Sequence, residues 1–334
     1  MPCIYCKTTD HLTEEHVFSA FSGGNIVVKD GSCSKCNGEC SKFEDKVASA
    51  TETARHIFEI PNRYGRVPDA AVKIDVQGTK LAAVSIDGRR KPGGEIELHD
   101  FVMDTKTEDG KKVREGFFVS EEGARKFVER RRARGEKVTE IEAPGEVILV
   151  PNSQQTIEFA FSPAARQMAA KIALTSVAYV YGTQYACLPQ FDALRQCIFR
   201  DATKIPSRIF ANRDFVADHI RTPHEHSVRA YLSAGMHKGW AVVTLFGGLS
   251  YIVELTGEFN EAESRKYSLF YNTASRTTFN PIVLYDEQEI VGRILSHDTI
   301  FEQQEAVDAQ WYPIVDRYCG ENEIELSRIM PKAN

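Results

Sequence analysis

The chain lacks most features that would place it outside the ordinary globular class. No apolar run approaches the roughly 20 residues a membrane span requires, and Met1-Pro2-Cys3 opens without the basic-then-apolar pattern of a secretory leader. A cytoplasmic protein with no membrane association is therefore expected. Internal repeats and low-complexity tracts are absent, which excludes solenoids and disordered tails. Positive charge is not in excess: 41 Lys and Arg stand against 47 Asp and Glu, a net charge of -6. Any polyanion would have to be held by a local basic patch or a bridging metal rather than by the overall field. Cysteine is scarce beyond residue 40. Of 8 in the chain, five are Cys3, Cys6, Cys33, Cys36 and Cys40, while Cys187, Cys197 and Cys319 are scattered. A secreted disulfide scaffold would spread its pairs. Clustered C-x-x-C pairs in a reduced chain point to metal instead.

What remains is a chain of 334 residues with 42% hydrophobic and 26% charged residues, ordinary for globular proteins and long enough for two or more domains. Three parts are expected. Residues 1–58 hold the cysteines and a helical tail, Ser41 to Phe58. Residues 59–161 are β-rich. Val72 to Val76 alternates, Gly78 offers a turn, and Leu81 to Ile86 provides a partner strand. Further strands are expected at Glu95 to Phe101, Phe117 to Val119, Glu146 to Val150 and Thr156 to Phe161, with one helix between Ser120 and Gly135. Residues 162–334 form an α+β region that packs with the middle part as one domain. It begins with the clearest helix signal in the chain. Ser162 is the N-cap, Pro163 the first helical position, Ala164 to Tyr181 carries no breaker, and Gly182 ends it. Trp240 to Phe246, Gly247-Gly248 and Leu249 to Leu255 predict a hairpin. Ile300 to Tyr312 predicts a helix that ends at Pro313.

Cys3-x-x-Cys6 and Cys33-x-x-Cys36 share one spacing. A two-residue gap turns both thiolates of a knuckle toward one ion, and two knuckles complete a tetrahedral zinc site. So short a module buries little core, and zinc would supply much of its folding energy. A redox role would need a helix N-terminus in a βαβ setting, which the region around Cys3 lacks. Cys40 is either a spare thiol or a substitute for Cys36; the paired spacing favours Cys36.

Between the knuckles stand Glu14-Glu15-His16 and Gly23-Gly24-Asn25, and Asn37 follows Cys36 at once. This arrangement resembles the HNH endonuclease superfamily over the first 50 residues. The shared pattern is an acidic residue before His, a glycine loop, a middle Asn, and C-x-x-C followed by His or Asn. The resemblance implies a ββα-metal, treble-clef-like module and hydrolysis of DNA phosphodiester bonds, with RNA as the alternative substrate. His16 would be the general base, since a neutral imidazole suits that task. Glu15 and Asn37 would hold one Mg²⁺ or Mn²⁺ through oxygen donors, and Asn25 would steady the base. Lys42 would contact phosphate, with His11 a bystander or a second phosphate contact. Glu44 and Asp45 read as a solvated helix face.

The rest of the chain carries no comparable motif. The resemblance leaves it to select substrate, sense a regulatory ligand or oligomerise, in the style of bacterial HNH proteins that act against foreign DNA. The alternative is a non-catalytic zinc module that binds nucleic acid or a protein partner. Arg125, Lys126, Arg130, Arg131, Arg132 and Arg134 fall on one helix, with Lys137 just past its end, a pattern that suits a phosphate backbone; interleaved Glu121, Glu122, Glu129 and Glu136 favour a mixed-charge solvated face instead. His224-Glu225-His226 and His237 lack diagnostic metal spacing and read as loop. Lys171, inside the apolar helix, is either a buried functional lysine or one that snorkels to solvent, and snorkelling is favoured. Phe246 to Tyr251 lacks the ending of a phosphate loop.

Overall fold

The computed structural model describes residues 1–68, 70–76, 79–85, 101–106, 112–118, 121–139, 162–199, 209–211 and 222–279. The architecture is mixed α+β, and the described strands pair antiparallel. Contacts divide the chain into two units. One takes Met1–Thr51 and Ile60–Arg66 together with Gln154–Leu326; the other takes Glu52–Glu59, Val67–Ser153 and Ser327–Asn334. The first and third of the parts read from the sequence thus fall largely in one unit, and the second in the other. The strands expected at 146–150 and 156–161, the helix at 300–312 and Cys319 lie outside the described residues, as does all but the last residue of the strand expected at 95–101. Among the described residues, no helix is long and apolar enough to cross a membrane.

In the first unit, strands β1 (Leu12–His16) and β2 (Val27–Cys33) form a hairpin that leads directly into helix α1 (Ser34–Ala50). Cys33 does two jobs. It ends β2 and caps α1, its sulfur accepting the backbone N–H of Cys36 at 3.5 Å, which satisfies one of the donors left open at a helix start. The helix therefore begins at Ser34, seven residues before the tail expected from Ser41. The loop between β1 and β2 turns on two glycines. Gly23 closes a single 3₁₀ turn (Ala20–Ser22) at φ 85°, a left-handed conformation that suits glycine. A Cβ on Gly24 would stand 1.9 Å from the carbonyl oxygen of Phe18.

The helix predicted from Ser162 is present as described. We number it α4 (Pro163–Tyr181); the Ser162 hydroxyl accepts the Ala165 N–H at 3.2 Å. It packs against α1, α6 (Asp192–Phe199) and the main sheet, with the short α5 (Thr183–Ala186) following it. Apolar on nearly every side, it is the central helix of this unit. Met168, Ile172, Leu174 and Val177 are at most 1% exposed, each such burial contributing about 1.5–3 kcal/mol. Among the described residues six strands make the sheet: β7 (Ile209–Ala211), β8 (Glu225–Ser233), β9 (Lys238–Leu245), β10 (Leu249–Thr256), β11 (Arg265–Asn272) and β12 (Thr277–Phe279). Their order is β12-β11-β8-β9-β10-β7. The predicted hairpin is the β9–β10 pair. Its turn is closed by Gly248 N–H to Leu245 O at 3.1 Å, with positive φ at Phe246 and Gly247, the pattern whose twist matches paired strands.

The sheet seats the N-terminal hairpin from one side. His226 of β8 accepts the Phe246 N–H on Nδ1 at 3.1 Å. Nε2 therefore carries the proton and donates to Ser22 O at 3.0 Å. Phe18 lies against the His226 ring at 5.3 Å and the Tyr271 ring at 6.1 Å, and Tyr271 donates its hydroxyl to Gly23 O at 3.1 Å.

The second unit holds α2 (Glu52–Ile57), the hairpins β3 (Ala70–Val76) with β4 (Thr79–Ser85) and β5 (Phe101–Lys106) with β6 (Lys112–Phe117), and α3 (Glu121–Arg132). β6 ends at Phe117, the first residue of the strand expected at 117–119; Val119 lies outside the described residues.

Candidate functional site

Two features adjoin in the N-terminal hairpin. The first is the cysteine frame. Cys3 and Cys6 lie on a tight turn in which Lys7 N–H returns to Cys3 O at 2.9 Å and Lys7 adopts φ 65°. Cys33 and Cys36 meet them from the strand-to-helix junction. The four sulfurs lie within 4.8 Å of one another, and Cys6 and Cys33 stand 3.6 Å apart. A tetrahedral zinc–thiolate site needs sulfur–sulfur edges of about 3.8 Å. Donor type and spacing therefore fit a metal ion of the zinc type, and the cluster can hold one. Cys40 is not part of it. Its thiol is fully buried on the inner face of α1, and burial together with nearby Glu15 pushes its pKa well up, the signature of an inert structural thiol.

The second feature is the end of β1. Between Thr13 and Glu15 the ladder slips, Thr13 pairing with Ser32 but Glu15 with Val28, which leaves Lys29, Asp30 and Gly31 of β2 bulged. The bulge is held by Ile4 N–H on Gly31 O at 2.9 Å, and bulges of this kind re-aim neighbouring side chains. Glu15 is turned inward and is 3% exposed. There it meets Lys171 of α4. The Lys171 ammonium reaches Glu15 Oε1 at 2.8 Å, Glu44 Oε1 at 2.9 Å and the backbone oxygen of His16 at 2.6 Å. An ammonium has three protons, and all three are used. Burial alone would lower the Lys171 pKa, but the two carboxylates outweigh it and hold the group charged.

Two expectations are corrected here. Lys171 does not snorkel: it is 1% exposed, because the carboxylates that neutralise it are inside. Glu44 is not a solvated face. Its Oε1 receives both Lys171 and the Ser19 hydroxyl, the latter at 2.6 Å.

His16 follows Glu15 and is half-buried. Arg63 Nη1 stands 2.7 Å from its Nε2. Guanidinium can only donate, so Nε2 is the acceptor and the neutral ring carries its proton on Nδ1. Nδ1 is buried and has no hydrogen-bond partner among the described residues. Burial lowers the His16 pKa first, and the charges of Lys171 and Arg63 lower it further. Arg63 is presented by a turn built on Asn62, whose Oδ1 accepts the N–H groups of Tyr64 at 2.9 Å and Arg66 at 3.1 Å. Its own N–H is fixed to Ala20 O at 2.8 Å, and its guanidinium lies 4.7 Å from the ring of the exposed Tyr64. Arg63 was missed from the sequence; Asn62-Arg63-Tyr64-Gly65 carries a turn signal, but nothing in it marks an approach to His16, 47 residues away.

The remaining candidates are dispersed. Asn37, on the first turns of α1, donates its amide to Thr13 Oγ1 at 3.3 Å. Asn25 is exposed at the approach to β2. Lys42 is exposed and pairs with Glu39 at 2.7 Å. His11 is exposed at φ 51°. On α3, Lys126 pairs with Glu122 at 2.5 Å and Arg125 with Glu129 at 3.4 Å, a mixed-charge face. His224 and His226 do not form a metal pair. His226 is fully buried, and His237 Nδ1 faces Phe259 O at 3.2 Å.

The Mg²⁺ or Mn²⁺ ion expected at Glu15 and Asn37 would have to compete with Lys171, whose ammonium already holds Glu15 Oε1. A hard divalent ion needs open oxygen donors. Glu15 is buried with its Oε1 on an ammonium, while Asn37 engages Thr13 through its amide N–H and not through the oxygen a metal would use. Comparison with family models, with curated proteins and with solved structures returned no match for the chain.

Proposed function

We propose that the N-terminal hairpin and α1 form an HNH-type, zinc-stapled ββα module and that it hydrolyses phosphodiester bonds of nucleic acid, DNA before RNA. The observation that carries the reading is His16 at the end of β1, in its neutral form, with a guanidinium on its Nε2 and a four-thiolate frame behind it. We take the ion of that frame to be zinc, which would fix the strand-to-helix junction and do no chemistry.

The step uses this chain's own groups. A phosphodiester entering beside His16 competes for Arg63, because a guanidinium binds phosphate by paired, charge-assisted hydrogen bonds. Moving Arg63 onto phosphate uncovers Nε2. That nitrogen then takes a proton from water as the water oxygen bonds to phosphorus. The P–O bond to the leaving nucleotide breaks, and the leaving oxygen takes a proton from solvent. Arg63 offsets the charge that builds on the phosphoryl oxygens.

A second reading has support of its own. Nε2 is already occupied and Glu15 already neutralised within the chain, as suits a module that binds nucleic acid or a partner without cutting. Incubating plasmid with the purified chain and with His16→Ala separates the two. Cleavage by the unsubstituted chain and none by the variant supports hydrolysis; binding with no cleavage under any divalent ion supports the second reading.

A further inference from the structure

The group that bridges Glu15 and Glu44 arrives from α4, 156 residues beyond Glu15 in the chain. Three oxygens surround the Lys171 nitrogen: one from each carboxylate and the His16 carbonyl, all between 2.6 and 2.9 Å. Two carboxylates and a carbonyl converging on one point make the donor type that hard divalent cations prefer, yet here the charge at their centre is an ammonium on a carbon stem. The stem is locked. Lys171 is 1% exposed within a helix whose neighbours Ala169, Ala170, Ile172 and Ala173 are fully buried. Withdrawing it would leave two carboxylates facing each other with little solvent. The second oxygen of Glu15 is buried without a hydrogen-bond partner among the described residues, so the cluster already carries more acceptors than donors. Among the described residues no second ion pair to Glu15 or Glu44 is present; Arg63 is on the His16 ring nitrogen.

We propose that Lys171 is the resident cation of the His16 strand. It stands where a divalent ion would sit between Glu15 and Glu44, so that this acidic cluster binds no Mg²⁺ or Mn²⁺. Through the His16 carbonyl it acts as a positioning residue for the strand end that carries the imidazole. This inference concerns ion occupancy and stands apart from whether the chain cleaves nucleic acid.

Manganese binding to the full chain with its four-cysteine site loaded tests it, followed by electron paramagnetic resonance of free Mn²⁺ and by ¹H–¹⁵N spectra of the histidine rings. In the unsubstituted chain no stoichiometric Mn²⁺ should depend on Glu15, and the His16 ring signals should stay unbroadened. Lys171→Gln vacates the position and should gain one Mn²⁺ per chain, and adding Glu15→Gln should abolish that gain. A purely structural lysine would not exchange for a metal site in this way. One Mn²⁺ bound to the unsubstituted chain and lost in Glu15→Gln would overturn the proposal. So would a Lys171→Gln chain with unchanged near-ultraviolet dichroism and zinc content that gains none. If Lys171→Gln does not fold, the ring spectra of the unsubstituted chain decide by themselves, broadened signals refuting and sharp signals supporting.

Discussion

Replacing Lys171 by Met keeps most of the side chain's length and deletes its charge. The structure sets the cost. Glu15, 3% exposed, loses the donor on Oε1, and the His16 carbonyl loses its donor as well. Removing one partner of a buried ion pair costs about 3–5 kcal/mol, because the other charge is left uncompensated. Glu44 keeps the Ser19 hydroxyl, and its side chain is 18% exposed. The lower end of that range, about 3 kcal/mol, is therefore expected. Glu15→Gln alone should cost about 1–2 kcal/mol, since a carboxamide oxygen still accepts from the ammonium. Combined, the two changes leave no buried unpaired charge at position 15. The double variant should then be more stable than the sum of the single effects implies, by about 2 kcal/mol. Urea unfolding of zinc-loaded protein, followed by tryptophan fluorescence, to which the buried Trp240 contributes, gives the four midpoints. Additive effects within about 0.5 kcal/mol would rule out coupling between Lys171 and Glu15, and a Lys171→Met cost below about 1 kcal/mol would show that the buried pair is not holding the unit together.

Three further outcomes follow from the same geometry. Cys36→Ser should lose bound metal and unfold the N-terminal hairpin, while Cys40→Ser should keep full metal content by elemental analysis; metal loss in both would return Cys40 to the ligand set. His226 is fully buried, and burial lowers its pKa to about 4 from 6.5. The unfolded chain therefore binds its proton first as pH falls, and stability present above about 6.5 drains away down to about 4, about 3 kcal/mol in all. His226→Gln should flatten that part of a denaturation-against-pH curve, and an unchanged slope would contradict the assignment. Arg63→Gln should raise the KM for a phosphodiester substrate at least tenfold and remove any response of the His16 ring nitrogens to added inorganic phosphate; a shift of the same size in both proteins would dismiss Arg63 as the phosphate group.

Local chemistry was legible in the sequence, and long-range chemistry was not. The knuckles are visible because a two-residue gap decides by itself where two thiolates point. The helix at 163–181 is visible because Ser162, Pro163 and Gly182 mark its ends with chemistry that acts within one turn. The 238–256 hairpin is visible through its Gly247-Gly248 turn. The buried triad was missed because a lone lysine in an apolar helix looks the same whether it reaches water or a carboxylate. What decides is a partner 156 residues away, brought close by a bulge that turns Glu15 inward. Alternation along β1 gave no warning of that turn. The six-stranded order β12-β11-β8-β9-β10-β7 was hidden for a related reason: β8 pairs with β11 across two intervening strands, and no residue near either one records the partner.

The base role proposed for His16 in phosphodiester hydrolysis is decided by the cleavage rate of plasmid by the full chain and by His16→Ala at equal zinc content. The variant should lose about 100- to 10,000-fold in rate, the range a positioned general base contributes, with folding unchanged. Equal rates for the two proteins, or no cleavage by the unsubstituted chain while it still binds the plasmid, would contradict that role.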